Sequence, residues 1–247
     1  MKKILSIALL MLSSTGLANS PIKAQTMKLV HNEAKSLELC RQLPKCGSLV
    51  RLYQAANGDL YLSDGTPQLA LFPKSNGYKL KNHWDFSNYQ HRAGNFAELE
   101  AEPYYSIAPA LYPLAEGKWA IALEKVWSEM YSGGSRSASF ADFLQINEDN
   151  SYQLALQAIY FYEGEMIRAC FSEEDVQKLH QCHDTADTIL KIRYQDVGKP
   201  YYQWHLTYTQ TEQHSTDKKP RKLKEWTNTV MPFDKCNVQA LCDDEKD

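Results

Sequence analysis

Between Tyr152 and Tyr162 the chain reads YQLALQAIYFY, and for eleven residues every second side chain is apolar or aromatic: Tyr152, Leu154, Leu156, Ala158, Tyr160, Tyr162. A period of two belongs to an extended strand whose alternate residues meet a core, whereas a helix scatters these positions around its axis. Ile159 and Phe161 place apolar surface on the opposite side, so that side is expected to be partly covered. Such a strand needs hydrogen-bonded neighbours, which must be sought elsewhere in the chain.

Turn chemistry supplies them. Val50 and Leu52, Leu60 and Leu62, Leu69 and Leu71, and Tyr78 and Leu80 alternate around Asn57-Gly58, Asp64-Gly65 and Asn76-Gly77. Asn-Gly and Asp-Gly tolerate positive φ, which predicts a β-meander over residues 48–82. Further strands are expected over Phe140–Asn147, Tyr152–Glu163, Glu165–Phe171, Ile189–Tyr194, Tyr201–Gln210 and Leu223–Met231, with Glu163-Gly164 as a turn. Leu29, Val30, Ala34, Leu37 and Cys40 recur at helical spacing between Lys28 and Arg41. KWAIALEKVWSEMY, Lys118 to Tyr131, gathers Trp119, Leu123, Val126, Trp127 and Met130 on one helical face, and a strand carrying Trp119, Ile121 and Leu123 is the alternative. Ser172 is placed to cap a short helix running to about Cys182. The proline-interrupted stretch from Asn82 to Pro113 reads as a covering loop, and Thr211 to Lys222 as a polar one. The fold class is therefore mainly β, an antiparallel barrel or sandwich of about nine strands with two or three short helices; an α+β arrangement is the alternative.

The chain opens MKKILSIALLMLSSTGLA: a basic start, an apolar run and then small residues, which is the pattern of a secretory signal peptide cleaved near Ala18 or Ala24. Removing residues 1–24 takes away Lys2, Lys3 and Lys23 and moves the formal charge from −3 to −6, which disfavours a nucleic-acid partner. No later apolar stretch is long enough to span a bilayer, so a periplasmic or secreted protein is expected. The remainder divides into residues 25–100, a short helix plus the meander, and residues 101–247, a larger antiparallel β domain; one continuous domain over 25–247 is the alternative.

Six cysteines fall into three local pairs: Cys40 with Cys46, Cys170 with Cys182, and Cys236 with Cys242. An even count in an exported chain points to disulfides, and six cysteines permit 15 pairings, of which the three short-range bridges are the economical set. Neither C-x5-C nor C-x11-C has zinc-ligand spacing, and no metal site is expected. His180, His183 and Asp184 could share a helix face as metal ligands do, but they lack the glutamate of a zinc-protease motif and read as solvated side chains. No Walker loop or dinucleotide fingerprint is present, so no cofactor is expected.

Gly133-Gly134-Ser135-Arg136-Ser137 reads G-x-S-x-S, close to the G-x-S-x-G of a nucleophile elbow but lacking its last glycine. The expectation is a flexible partner-binding loop displaying Arg136, with a serine hydrolase using Ser135 as the outside alternative. Gly117-Lys118-Trp119, followed by long alternating strands, resembles the Gly-x-Trp signature of lipocalin-like barrels, a family that carries the motif near its start. That resemblance implies a barrel holding a small apolar ligand. The leading expectation is an exported, non-catalytic protein that binds a protein partner, of the immunity or inhibitor type, with the lipocalin-like carrier as the alternative.

Overall fold

A computed structural model describes residues 21–92 and 101–234; the expected signal peptide up to residue 20 and the expected Cys236–Cys242 pair lie outside the described residues. Fourteen strands and two helices are formed among them, so the chain is mainly β with antiparallel sheets. They run β1 (Gln25–Thr26), β2 (Lys28–Leu29), α1 (Glu33–Cys40), β3 (Arg51–Gln54), β4 (Leu60–Ser63), β5 (Gln68–Phe72), β6 (Asn82–Asp85), β7 (Tyr104–Ile107) and β8 (Ala110–Ala115). The long strands follow: β9 (Lys118–Tyr131), β10 (Gly134–Ile146), β11 (Tyr152–Arg168), then α2 (Glu173–Lys178), β12 (His183–Gln195), β13 (Gln203–Gln213) and β14 (Arg221–Val230).

Strands β2 to β6 make a five-stranded meander, with Asn57-Gly58 turning β3 into β4 and Gly58 at φ 88°. Tyr78 and Leu80 do not extend it as the alternation predicts. Lys74–Asn76 forms a 3-10 turn closed by Gly77, and the outer strand is β6. The other nine strands form one sheet in the order β1-β8-β9-β10-β11-β12-β13-β14, with β7 also on β9. This sheet bends back on itself: the Tyr202 amide donates to the Leu114 carbonyl at 2.7 Å, and the Trp204 indole donates to the Pro113 carbonyl at 3.1 Å. Trp204, Phe143, Tyr112 and Leu206 pack inside the bend. A second cluster joins the two sheets, with Tyr53, Trp84 and Phe86 against Ile121, Leu123 and Leu144. Each side chain so buried contributes about 1.5–3 kcal/mol. Trp84 also donates to the Asn147 carbonyl at 2.9 Å, fixing β6 to the β10–β11 turn.

Several expected elements are different. Lys118–Tyr131 is a strand, not a helix, because it lies between β10 and the β7–β8 edge and buries Ala120 and Ala122 as well as Ile121 and Leu123. The stretch from Asn82 to Pro113 is no plain loop but contributes β6, β7 and part of β8. Glu163-Gly164 is the middle of β11 rather than a turn: Gly164 leaves room for the Tyr162 ring, whose hydroxyl donates to Asp187 at 3.1 Å. The polar loop is shorter than expected, since β13 continues to Gln213 and β14 starts at Arg221. Helix α1 begins at Glu33, where Asn32 caps it, because Lys28 and Leu29 pair with Tyr53 and Gln54 instead.

Candidate functional site

The stretch expected to be a flexible partner-binding loop, with a nucleophile elbow as the outside alternative, closes a tight hairpin. Tyr131 and Gly134 pair across a turn of Ser132 and Gly133, and Gly134, Ser135, Arg136 and Ser137 are the first residues of β10. The surroundings are strand, turn and strand, whereas an elbow needs a strand before the serine and a helix after it. Ser135 faces Met130 on one neighbouring strand and Met166 on the other. Arg136 is tied into the sheet: its guanidinium bonds the Glu163 carboxylate at 2.8 Å, and Tyr160 donates to the other oxygen of that carboxylate at 2.5 Å. Burial would raise the Glu163 carboxyl, but the bonds from Tyr160 and Arg136 outweigh it and hold the group below the usual carboxylate range.

What the hairpin does expose is apolar surface, brought beside the end of β11, from which the chain runs on into α2. The Arg168 amide donates to the Gly133 carbonyl at 2.7 Å, so the turn and the end of β11 lie side by side. Cys170 and Cys182 are joined, with Cα atoms 4.8 Å apart, and the Ala169 amide donates to the Cys182 carbonyl at 2.9 Å. Within that closed loop Ser172 caps α2 as the sequence predicts, in a reciprocal box with Asp175, but the helix ends at Lys178 and does not reach Cys182. Met130 is 89% exposed, Phe171 73% and Val176 61%, and Tyr131 and Ile167 are exposed beside them. The Arg168 guanidinium stands 5.3 Å from the centre of the Phe171 ring. A hollow of about 450 Å³ opens between Arg168, the disulfide, Phe171 and Val176. Glu165, Glu173, Glu174 and Asp175 outnumber Arg168 and Lys178, the latter paired with Glu174, and leave this end with an acidic fringe.

The other bridge, Cys40 to Cys46, lies at the opposite end of the sequence with Cα atoms 5.6 Å apart, just behind α1. Of the histidine cluster, His183 and Asp184 open β12, and Asp184 accepts the Ser215 amide and lies 3.7 Å from His214. Among the described residues no three His, Cys, Asp or Glu side chains are grouped so as to hold a metal ion. Among them, too, no helix is long and apolar enough to cross a membrane.

Sequence reasoning expected a flexible loop over residues 133–137 and singled out its polar residues, whereas residues 134–137 are strand residues and the exposed apolar side chains lie around them. Met130, Phe171 and Val176 were hidden because each sits in a stretch that also reads as core-facing; the only available signal was the short cysteine loop around Phe171. The chain matches no protein-family model, no curated protein and no solved structure.

Proposed function

We propose that the chain is an exported, non-catalytic binding protein that docks a protein partner, in the manner of an immunity protein or inhibitor, through the end of the sheet that carries Met130, Phe171 and Val176. The observation that carries the reading is the exposure of Phe171 and Val176 around one hollow on a disulfide-closed frame, with Met130 exposed on the neighbouring hairpin. Soluble surfaces rarely present large apolar side chains as a group unless something covers them, and aromatic and methionine side chains are the common anchors of interfaces. The disulfide limits the ordering cost of binding, because α2 and Phe171 are held before the partner arrives. The acidic fringe selects a partner whose contact surface is apolar with a basic rim, and it speeds encounter at low salt. The secretory pattern of the first residues and the disulfides fit a periplasmic location.

Affinity capture from periplasmic extract tests this, comparing the native protein with a Phe171→Asp/Val176→Asp variant of unchanged melting temperature. A protein retained stoichiometrically by the first and lost by the second is expected. Equal retention by both would remove the tip as the interface, and absence of any enriched protein would sink the reading.

A further inference from the structure

The pairing of β11 with β12 stops at Tyr162 and Ile189, although both strands continue. The cause lies on the other edge of β11, where its register against β10 shifts three times. At the first shift Ser139 pairs with Tyr162 and Phe140 with Tyr160, so Phe161 is the extra residue of a bulge. Ala158, at φ 51°, marks further distortion along the same strand. Bulges increase local twist and re-aim side chains, and here they turn β11 away from β12 and send Phe161 into the gap.

The gap is a hollow of about 620 Å³ walled by Phe161, Leu190, Ile192, Tyr112 and Tyr194, with residues 21–24 along one side. That volume lies within the range of small-molecule sites. Phe161 and Leu190 also wall a second hollow of about 490 Å³ that contains Glu124 and Ser139. Among the described residues, neither the Tyr112 nor the Tyr194 hydroxyl makes a hydrogen bond, whereas the nearby Trp204 indole is satisfied by Pro113. Gln145 Oε1 is the one buried side-chain polar atom without a partner among the described residues, so these two hydroxyls are open to water that a ligand oxygen can replace. Burial pushes both phenols upward; the Glu124 carboxyl adds to this for Tyr112, and Tyr112 adds to it for Tyr194. Both therefore remain O–H donors.

We propose that the hollow between β11 and β12 binds a small, largely apolar molecule that presents one neutral oxygen acceptor, an ester, amide or ketone carbonyl, to the hydroxyls of Tyr112 and Tyr194. The Glu124 carboxyl raises the Tyr112 hydroxyl and weighs against an anionic acceptor at that point, although burial also raises the Glu124 carboxyl itself. Lys23, Lys191 and Arg193 also line the hollow, and all three are exposed, so their charged ends can turn to solvent. This site is separate from the tip.

Calorimetric titration with methyl decanoate, decanoate and decane tests the proposal on the processed chain, whose N-terminus is first fixed by mass because residues 21–24 form a wall. Saturable binding of the ester is expected, with decanoate and decane each at least about tenfold weaker. Tyr112→Phe/Tyr194→Phe keeps the rings and should weaken the ester about tenfold while leaving decane unchanged. Leu190→Trp fills the hollow and should abolish binding at unchanged circular dichroism. No saturable ester binding, an unaltered affinity in the double Phe variant, or tighter binding of decanoate than of the ester would each overturn it.

Discussion

The Asp142 carboxylate holds the amide of Ala158 at 2.7 Å, and Ala158 is the residue of β11 whose backbone takes a left-handed φ of 51°. The other oxygen of Asp142 accepts the Tyr89 hydroxyl at 2.8 Å and the Arg92 amide at 2.6 Å. One fully buried carboxylate thus ties a distorted strand to the chain that follows β6. Asp142→Ala leaves three donors without an acceptor and is expected to cost about 3 kcal/mol or more in urea unfolding. Ala158→Gly relieves the left-handed backbone and should be neutral or stabilising by up to about 1 kcal/mol. If Ala158→Gly destabilised strongly, the bulge would owe its shape to packing of the methyl group instead.

The same carboxylate sets an acid dependence. His91 is buried, its Nδ1 is 3.6 Å from Asp142 and its Nε2 is 2.9 Å from the Leu123 carbonyl. Burial holds this imidazole below its ordinary range, and Lys125 pushes the same way, although Asp142 and the carbonyls of Leu123 and Phe140 pull upward. An unfolded histidine titrates near 6.5. Below that pH the unfolded chain takes up a proton that the folded chain resists, so this contribution to stability is complete above about pH 6.5 and falls as the solution is acidified. Urea midpoints measured from pH 8 to pH 5 should decline in the native protein and decline less in His91→Gln; parallel curves would assign the acid response to other groups.

The strands that were legible in sequence were short and had a turn dipeptide at an end, as β3, β4 and β5 do with Asn57-Gly58 and Asp64-Gly65, although β4 and β5 are covered on both faces. Strand β9 was misread because both of its faces are covered. Ala120 and Ala122 are as buried as Ile121 and Leu123, which erases the period of two and leaves a pattern a helix satisfies equally well. Gly164 looked like a turn because a glycine between glutamates usually is one. Here it is the space under a tyrosine ring, and nothing local in the sequence marks that. The hollow between β11 and β12 was the least legible feature, since Tyr112, Phe161 and Tyr194 meet only through the bend of the sheet.

The cysteines permit a count. Two bridges are formed among the described residues, and the third expected pair, Cys236 with Cys242, lies outside them. Unfolded, unreduced protein should show no titratable thiol; two thiols per chain would mean that the last pair stays reduced. Cys170→Ala/Cys182→Ala releases a loop with a sequence separation of 12 and should cost about 2–3 kcal/mol. Hydrogen exchange should place the loss in α2 and the end of β11, with β4 and β5 unaffected.

Gly133 and Gly134 stand next to each other and make opposite predictions. A Cβ on Gly133 would meet only the Tyr131 ring, 3.9 Å away. A Cβ on Gly134 would run into the Met166 carbonyl oxygen and come within 3.1 Å of the Ile167 Cα, both backbone atoms of the paired strand. Side chains at the far end of a rotamer can move aside, but a strand backbone can retreat only by stretching its ladder. Gly133→Ala should therefore stay within about 0.5 kcal/mol of the native protein. Gly134→Ala should lose about 1–3 kcal/mol, as overpacking does, and should loosen the contact between the hairpin and β11. Because the proposed docking surface is assembled across that contact, Gly134→Ala should also weaken partner capture while Gly133→Ala leaves it intact. Equal stability of the two variants would show that β10 and β11 are not packed this closely at Met166.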